Sequence, residues 1–152
     1  MKILVCIDGS EQSQKALEKA SLIAGGCNVD EVAIMHVYDQ KLDFTGFPRD
    51  GEYGLAREDM EKFRKLQEEN KNKRKMFLED ALKFIEGKGI KARTIFKEGH
   101  PAEAIVEVGC GEAFDFIVVG SRGMGGLKKA LLGSVSNAVV QQAEKCSVII
   151  VR

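Results

Sequence analysis

Three short, nearly continuous apolar runs restrict the fold of this chain more than any other feature: KILVCI at 2–7, EVAIMHVY at 31–38 and FDFIVVG at 114–120. Runs of this kind belong to strands covered on both faces, which occur in parallel sheets. Helical patterns separate them. Ser10 is placed to cap a helix in which Ala16, Leu17, Ala20, Ile23 and Ala24 share one face, and Gly25-Gly26 ends it. A strand, a helix and a strand of this length form a βαβ unit.

The pattern continues after an interruption. Residues 39–54, with Pro48 and three glycines, read as a surface loop. A charge-rich helix is predicted from Leu55 to Glu86, solvated in its first half and amphipathic through Phe77, Leu78, Ala81, Leu82 and Ile85 in its second. The stretch 90–97 alternates, which suits an edge strand, and Pro101 opens a further helix. A helix over 135–144 and a strand in CSVIIVR close the chain. The expectation is a single α/β domain, 1–152, a doubly wound parallel sheet in which 39–75 is a loop plus charged helix insertion. In such sheets ligands bind beyond the carboxyl ends of the strands, where strand order reverses. Asp8, the turn after Val37 and the glycines after Val119 converge there.

Charge excludes some partners. Lys and Arg total 23, as do Asp and Glu, so no net field favours nucleic acid or an anionic membrane. The first apolar run is about five residues, short of a signal-peptide core, and none approaches the ~20 of a membrane span. Cys6, Cys27, Cys110 and Cys146 show no CxxC spacing. The expectation is a cytoplasmic protein with reduced thiols that serve as small core residues.

Five glycines lie between Gly120 and Gly133. A Walker loop needs GxxxxGK followed by Ser or Thr, which is absent, and GxGxxG is absent too. A two-part arrangement fits instead. Gly120 and Gly123 turn the chain off a strand end, and Gly133-Ser134 starts a helix. Gly120 would let a ribose lie against the strand, and Gly123 would turn loop amides inward. Gly133 and Ser134 would offer free amides at a helix N-terminus, where orphan N–H groups and the dipole favour phosphate. The alternative is a mobile loop whose Ser134 is an ordinary N-cap, and Ser134 does not decide between them. Gly125 and Gly126 fall outside the two parts and read as connector.

The spacing Gly120-x2-Gly123-x9-Gly133-Ser134 resembles the G-2x-G-9x-G-(S/T) signature of ATP-binding universal stress proteins. The resemblance extends through ILVCIDGSEQSQKALEKA, IMHVYD and GHPAEAIVEVG and covers essentially the whole chain. It implies a five-stranded sheet of order 3-2-1-4-5 with helices on both faces, of the adenine nucleotide alpha hydrolase-like kind. It implies ATP across the carboxyl edge, with adenine held by Asp8 and the backbone near Val37, above Val119. Gly120 would meet the ribose. Ser121, Arg122, Gly123, Gly133, Ser134 and Val135 would wrap the phosphates, with Mg²⁺ or Mn²⁺ on phosphate oxygens. Homodimers through the strand at 147–151 are also implied. The chain departs from the family pattern at Cys6 and in its long charged 39–75 segment.

Each residue also has a plainer role open to it. Asp8 serves adenine or starts the following helix; Arg122 neutralises phosphate or is a surface arginine. His36 reads as a packed core residue, His100 as a loop or cap residue, and Lys128 and Lys129 as a solvated face. The pattern contains no Ser–His–Asp or Cys–His order, metal cluster or water-positioning base, so binding with at most slow hydrolysis is expected. Three functions follow: a nucleotide-dependent switch with an unknown protein partner, a slow ATPase, or a dimeric interaction module that uses no nucleotide.

Overall fold

The computed structural model describes residues 1–39, 57–123 and 132–152. Among these the order is β1 (Lys2–Cys6), α1 (Glu11–Gly26), β2 (Glu31–Tyr38), α2 (Arg57–Glu86), β3 (Ala92–Glu98), α3 (Pro101–Gly111), β4 (Phe116–Gly120), α4 (Ser134–Gln142) and β5 (Ser147–Val151). The strands form one all-parallel sheet, β3-β2-β1-β4-β5, as the resemblance implies. Central β1 pairs Cys6 with Met35 of β2 on one side and with Val119 of β4 on the other.

Strand periodicity divides the core into two layers. Ile3, Val5, Ile34 and Val118 pack against Ala16, Leu17 and Ala20 of α1 and Leu78, Ala81 and Ile85 of α2. Leu4, Cys6, Met35, Ile117 and Val119 point the other way, toward Ala102, Ile105 and Val108 of α3 and Val139 of α4. The strand residues in both layers are buried, each side chain contributing about 1.5–3 kcal/mol through removal from water. This two-sided cover is why the runs lack alternation.

β3 lies at an edge, as expected, and its residues are half-buried or exposed. It starts at Ala92; Ile90 precedes it and packs on the first layer. β4 starts at Phe116, while buried Phe114 sits under Lys2, whose Nζ is 4.7 Å from the ring centroid. α1 runs through Gly25 and Gly26 to a C-cap at Cys27. The 40–56 stretch, including Pro48 and Leu55, and residues 124–131, including Gly125, Gly126, Lys128 and Lys129, lie outside the described residues.

One expectation needs correction. Only Cys6 of the four cysteines is buried; burial pushes its thiol up, so it remains protonated. Cys27 is exposed because it sits beyond the end of α1. Cys110 and Cys146 are half-buried, in the last turn of α3 and just before edge strand β5, where cover is thinner.

Candidate functional site

β1 sits between β2 and β4, and β4 lies on the far side of β1 from β2 and β3. The strand order therefore reverses at β1, which opens a crevice at its carboxyl end. Asp8 and the start of α1 enter it from β1, and residues 120–123 enter from β4. The N-terminus of α4 joins them through Gly133, whose N–H donates to the Ser121 carbonyl at 2.8 Å.

The β1–α1 turn is held by its own polar side chains. Asp8 Oδ1 accepts from the Ser10 amide at 2.9 Å. Ser10 Oγ accepts from the Ser13 amide at 3.2 Å, the capping bond expected of Ser10. Ser13 Oγ accepts from the Gly9 amide and donates to the Ser10 carbonyl. Across the crevice, Ser10 Oγ reaches the Arg122 carbonyl at 3.5 Å.

Two signature glycines meet demands made by the protein itself. A Cβ on Gly120 would stand 2.9 Å from the carbonyl carbon and Cβ of Gln12 and 3.0 Å from its carbonyl oxygen. The space expected to admit a ribose is thus also the space that lets α1 lie on the end of β4. A Cβ on Gly123 would stand 2.5 Å from Asp8 Oδ2. That carboxylate is held by the Ser10 amide, so a side chain at 123 would displace it.

Gly133 differs. Its φ of −64° and ψ of 158° suit any residue. A Cβ there would meet its nearest neighbours at 3.4–3.6 Å, ordinary contact distances. Nothing described within the protein requires glycine at this position.

The α4 terminus corrects two readings. Gly133, not Ser134, is the N-cap, and Ser134 is the first helical residue. The Gly133 amide is also not a free donor, because Ser121 is drawn into the β4–β5 edge. Its N–H bonds the Val151 carbonyl at 2.6 Å, and that leaves its carbonyl facing Gly133. Ser136 Oγ adds bonds to the carbonyls of Ser121 at 3.2 Å and Gly133 at 3.0 Å. The donors that remain at this terminus are the amides of Ser134, Val135 and Ser136, which lack acceptors within the helix as first-turn amides do.

Val37 and Val135 are half-buried on the second core layer, and Val119 is buried in it. His36 is buried in β2 and its Nδ1 donates to the Ile7 carbonyl at 2.7 Å, as a packed core histidine does. His100 is the N-cap residue of α3, ahead of Pro101.

Several residues at the crevice were not singled out from the sequence. Gln12, Ser13 and Ser136 act through backbone approach or short hydroxyl bonds that carry no distinctive motif. Arg74 of α2 donates from Nη1 to the Asp8 carbonyl at 3.2 Å. The spacing Ile85, Ala81, Leu78, Arg74 places it on the buried phase of α2, and that was a readable signal. Among the described residues no cluster of His, Cys, Asp and Glu could hold a metal. No helix among them is long and apolar enough to cross a membrane.

Comparison with known proteins places this geometry in context. The model of the universal stress protein family matches residues 1–152. Universal stress protein YxiE of Bacillus subtilis is 36% identical over 155 residues, covering 99% of this chain and 98% of its own length. Universal stress protein MJ0577 of Methanocaldococcus jannaschii is 34% identical over 160 residues, covering 99% and 94%. The solved structure of MJ0577 superposes with a TM-score of 0.77 at 29% identity, over 99% of this chain and 96% of that one. An Arabidopsis thaliana protein of the same family, solved with AMP bound, superposes with a TM-score of 0.66 over 99% of this chain and 90% of its own. At 22% identity the second superposition speaks to the fold alone.

Proposed function

We propose that this chain, which belongs to the universal stress protein family, binds ATP in the crevice between β1 and β4 and acts as a cytoplasmic, nucleotide-dependent switch in stress response. The observation that carries the reading is Gly133. Packing and backbone conformation leave it free to be any residue, yet it caps a helix whose next two amides point at no acceptor in that helix. A glycine unforced by the protein suits a phosphate that comes close to the backbone.

In this reading Asp8 and the backbone at Val37 hold adenine above Val119, and Gly120 borders the ribose. Ser121, Arg122 and Gly123 flank the phosphates, while Ser134 and Val135 donate to them beside Gly133. Asp8 suits the base end of the ligand, because a carboxylate is a poor neighbour for phosphate. Mg²⁺ or Mn²⁺ would sit on phosphate oxygens and supply charge neutralisation. The Arabidopsis protein of the same fold holds AMP, which is an adenine nucleotide. Titration of nucleotide-stripped protein with Mg-ATP in a calorimeter is expected to give saturable heat with a Kd in the micromolar range, roughly −8 kcal/mol. No heat at high micromolar ATP would sink the proposal, and saturation by AMP or cyclic AMP alone would reassign the ligand.

A homodimer through β5 is part of the same proposal, with an unidentified protein as the switched partner. β5 is an edge strand, and such an edge offers unpaired backbone groups to a second copy. Lysine at Val148 and Ile150 is expected to convert a sedimenting dimer to monomer; an unchanged dimer in a still-folded variant assigns the interface elsewhere.

A further inference from the structure

We propose that Cys110 and Cys146 are a redox modification site, forming a reversible intramolecular disulfide that ties together the two ends of the proposed phosphate-binding half of the protein. The Sγ atoms are 3.2 Å apart. Their residues stand on separate elements, one in the last turn of α3 and one immediately before β5. Closing to bonding distance takes an approach of about 1.2 Å, within the reach of side-chain rotation.

Access separates this pair from Cys6, and mutual proximity separates it from Cys27. Cys6 is sealed in β1, and Cys27 lies exposed at the end of α1. Cys110 and Cys146 are both half-exposed. A solvent-open cleft of about 430 Å³, lined by Phe114, Asp115, Glu144 and Lys145, reaches Cys146 directly. The chain enclosed between the two thiols contains all of β4, residues 120–133 and α4. The crosslink therefore joins the borders of the segment that carries Gly120, Gly123 and Gly133.

The oxidant is hydrogen peroxide, and the chemistry balances with it. The Cys110 thiolate attacks one peroxide oxygen; the S–O bond forms, the O–O bond breaks and hydroxide leaves. Cys146 sulfur then attacks Cys110 sulfur, the S–S bond forms, and hydroxide departs with the Cys146 proton as water. Two thiols lose two electrons and two protons, and the peroxide becomes two waters. Burial and the hydrogen bond with Cys110 push the Cys146 thiol up to about 11, so Cys146 is not the sulfur that meets peroxide first and gives up its proton only as it attacks the sulfenic acid.

The test uses the full chain with Cys27→Ser, treated with hydrogen peroxide and then alkylated. The expected product loses two hydrogen atoms, resists alkylation at both positions, yields a 110–146 crosslinked peptide and reverts with dithiothreitol. Closing a loop of 36 residues is expected to raise Tm by roughly 5–10 °C. Cys110→Ser and Cys146→Ser should each abolish the mass loss and the Tm shift together. Continued alkylation of both thiols, oxidation to sulfinic acid without a crosslink, or crosslinks between chains would each overturn the proposal. None of these readouts requires nucleotide, so the result stands apart from the test of ATP binding.

Discussion

Gly133→Asp is expected to weaken ATP binding severely while leaving the fold as stable as before or slightly more so. The two effects separate because Gly133 is an N-cap in extended conformation with room for a Cβ. Aspartate is among the best N-cap residues, and its carboxylate would accept from the Val135 or Ser136 amide. That places a negative charge on the donors a phosphate would use. At ~4 Å and an effective dielectric of ~20 the repulsion is about 4 kcal/mol. With allowance for screening, the loss is on the order of 100-fold or more in affinity. Calorimetric titration with Mg-ATP and a thermal melt on the same sample check both halves. Unchanged affinity in a folded variant would remove α4 from the binding site.

Gly120→Val is expected to act oppositely, destabilising the protein before any ligand is considered. Its Cβ would fall 2.9–3.0 Å from the backbone of Gln12. Backbone in the first turn of a packed helix has no rotamer to change, so α1 or β4 must move. Overpacking of this kind costs about 1–3 kcal/mol, occasionally more, and valine with its two extra methyls belongs near the upper end. For a chain of this size the expected fall in Tm is roughly 6–12 °C, with Gly120→Ala giving a smaller fall. A shift of α1 would also drag the Ser10–Ser13 turn that holds Asp8. Thermal and denaturant unfolding without nucleotide measure the effect. A melt within a degree or two of the parent would mean that α1 does not press on Gly120.

These two variants show how far one glycine signature divides. Spacing marked Gly120, Gly123 and Gly133 alike as places where a nucleotide would approach the backbone. The structure gives the first two intramolecular reasons, Gln12 and Asp8, and leaves the third without one. Of the two roles open to Ser134, the cap belongs instead to Gly133, and the hydroxyl bonds near it come from Ser136. Arg74 was missed although it follows the helical phase of α2, because the charge on that helix reads as solvated until its distance to Asp8 is known.

The sequence by itself determined the alternation of strands and helices, the two-sided burial of the central strands, the edge position of β3, the Ser10 cap and the packed state of His36. All of these follow from periodicities and cap chemistry that operate within a few residues of chain. Only the tertiary structure decided which glycines the protein needs for itself, that the Gly133 amide is already engaged, and that Cys110 and Cys146 meet while Cys6 and Cys27 do not. Those facts are distances between segments remote in sequence. They are set by how α1, α3 and α4 pack on the sheet, and neither composition nor spacing carries that information.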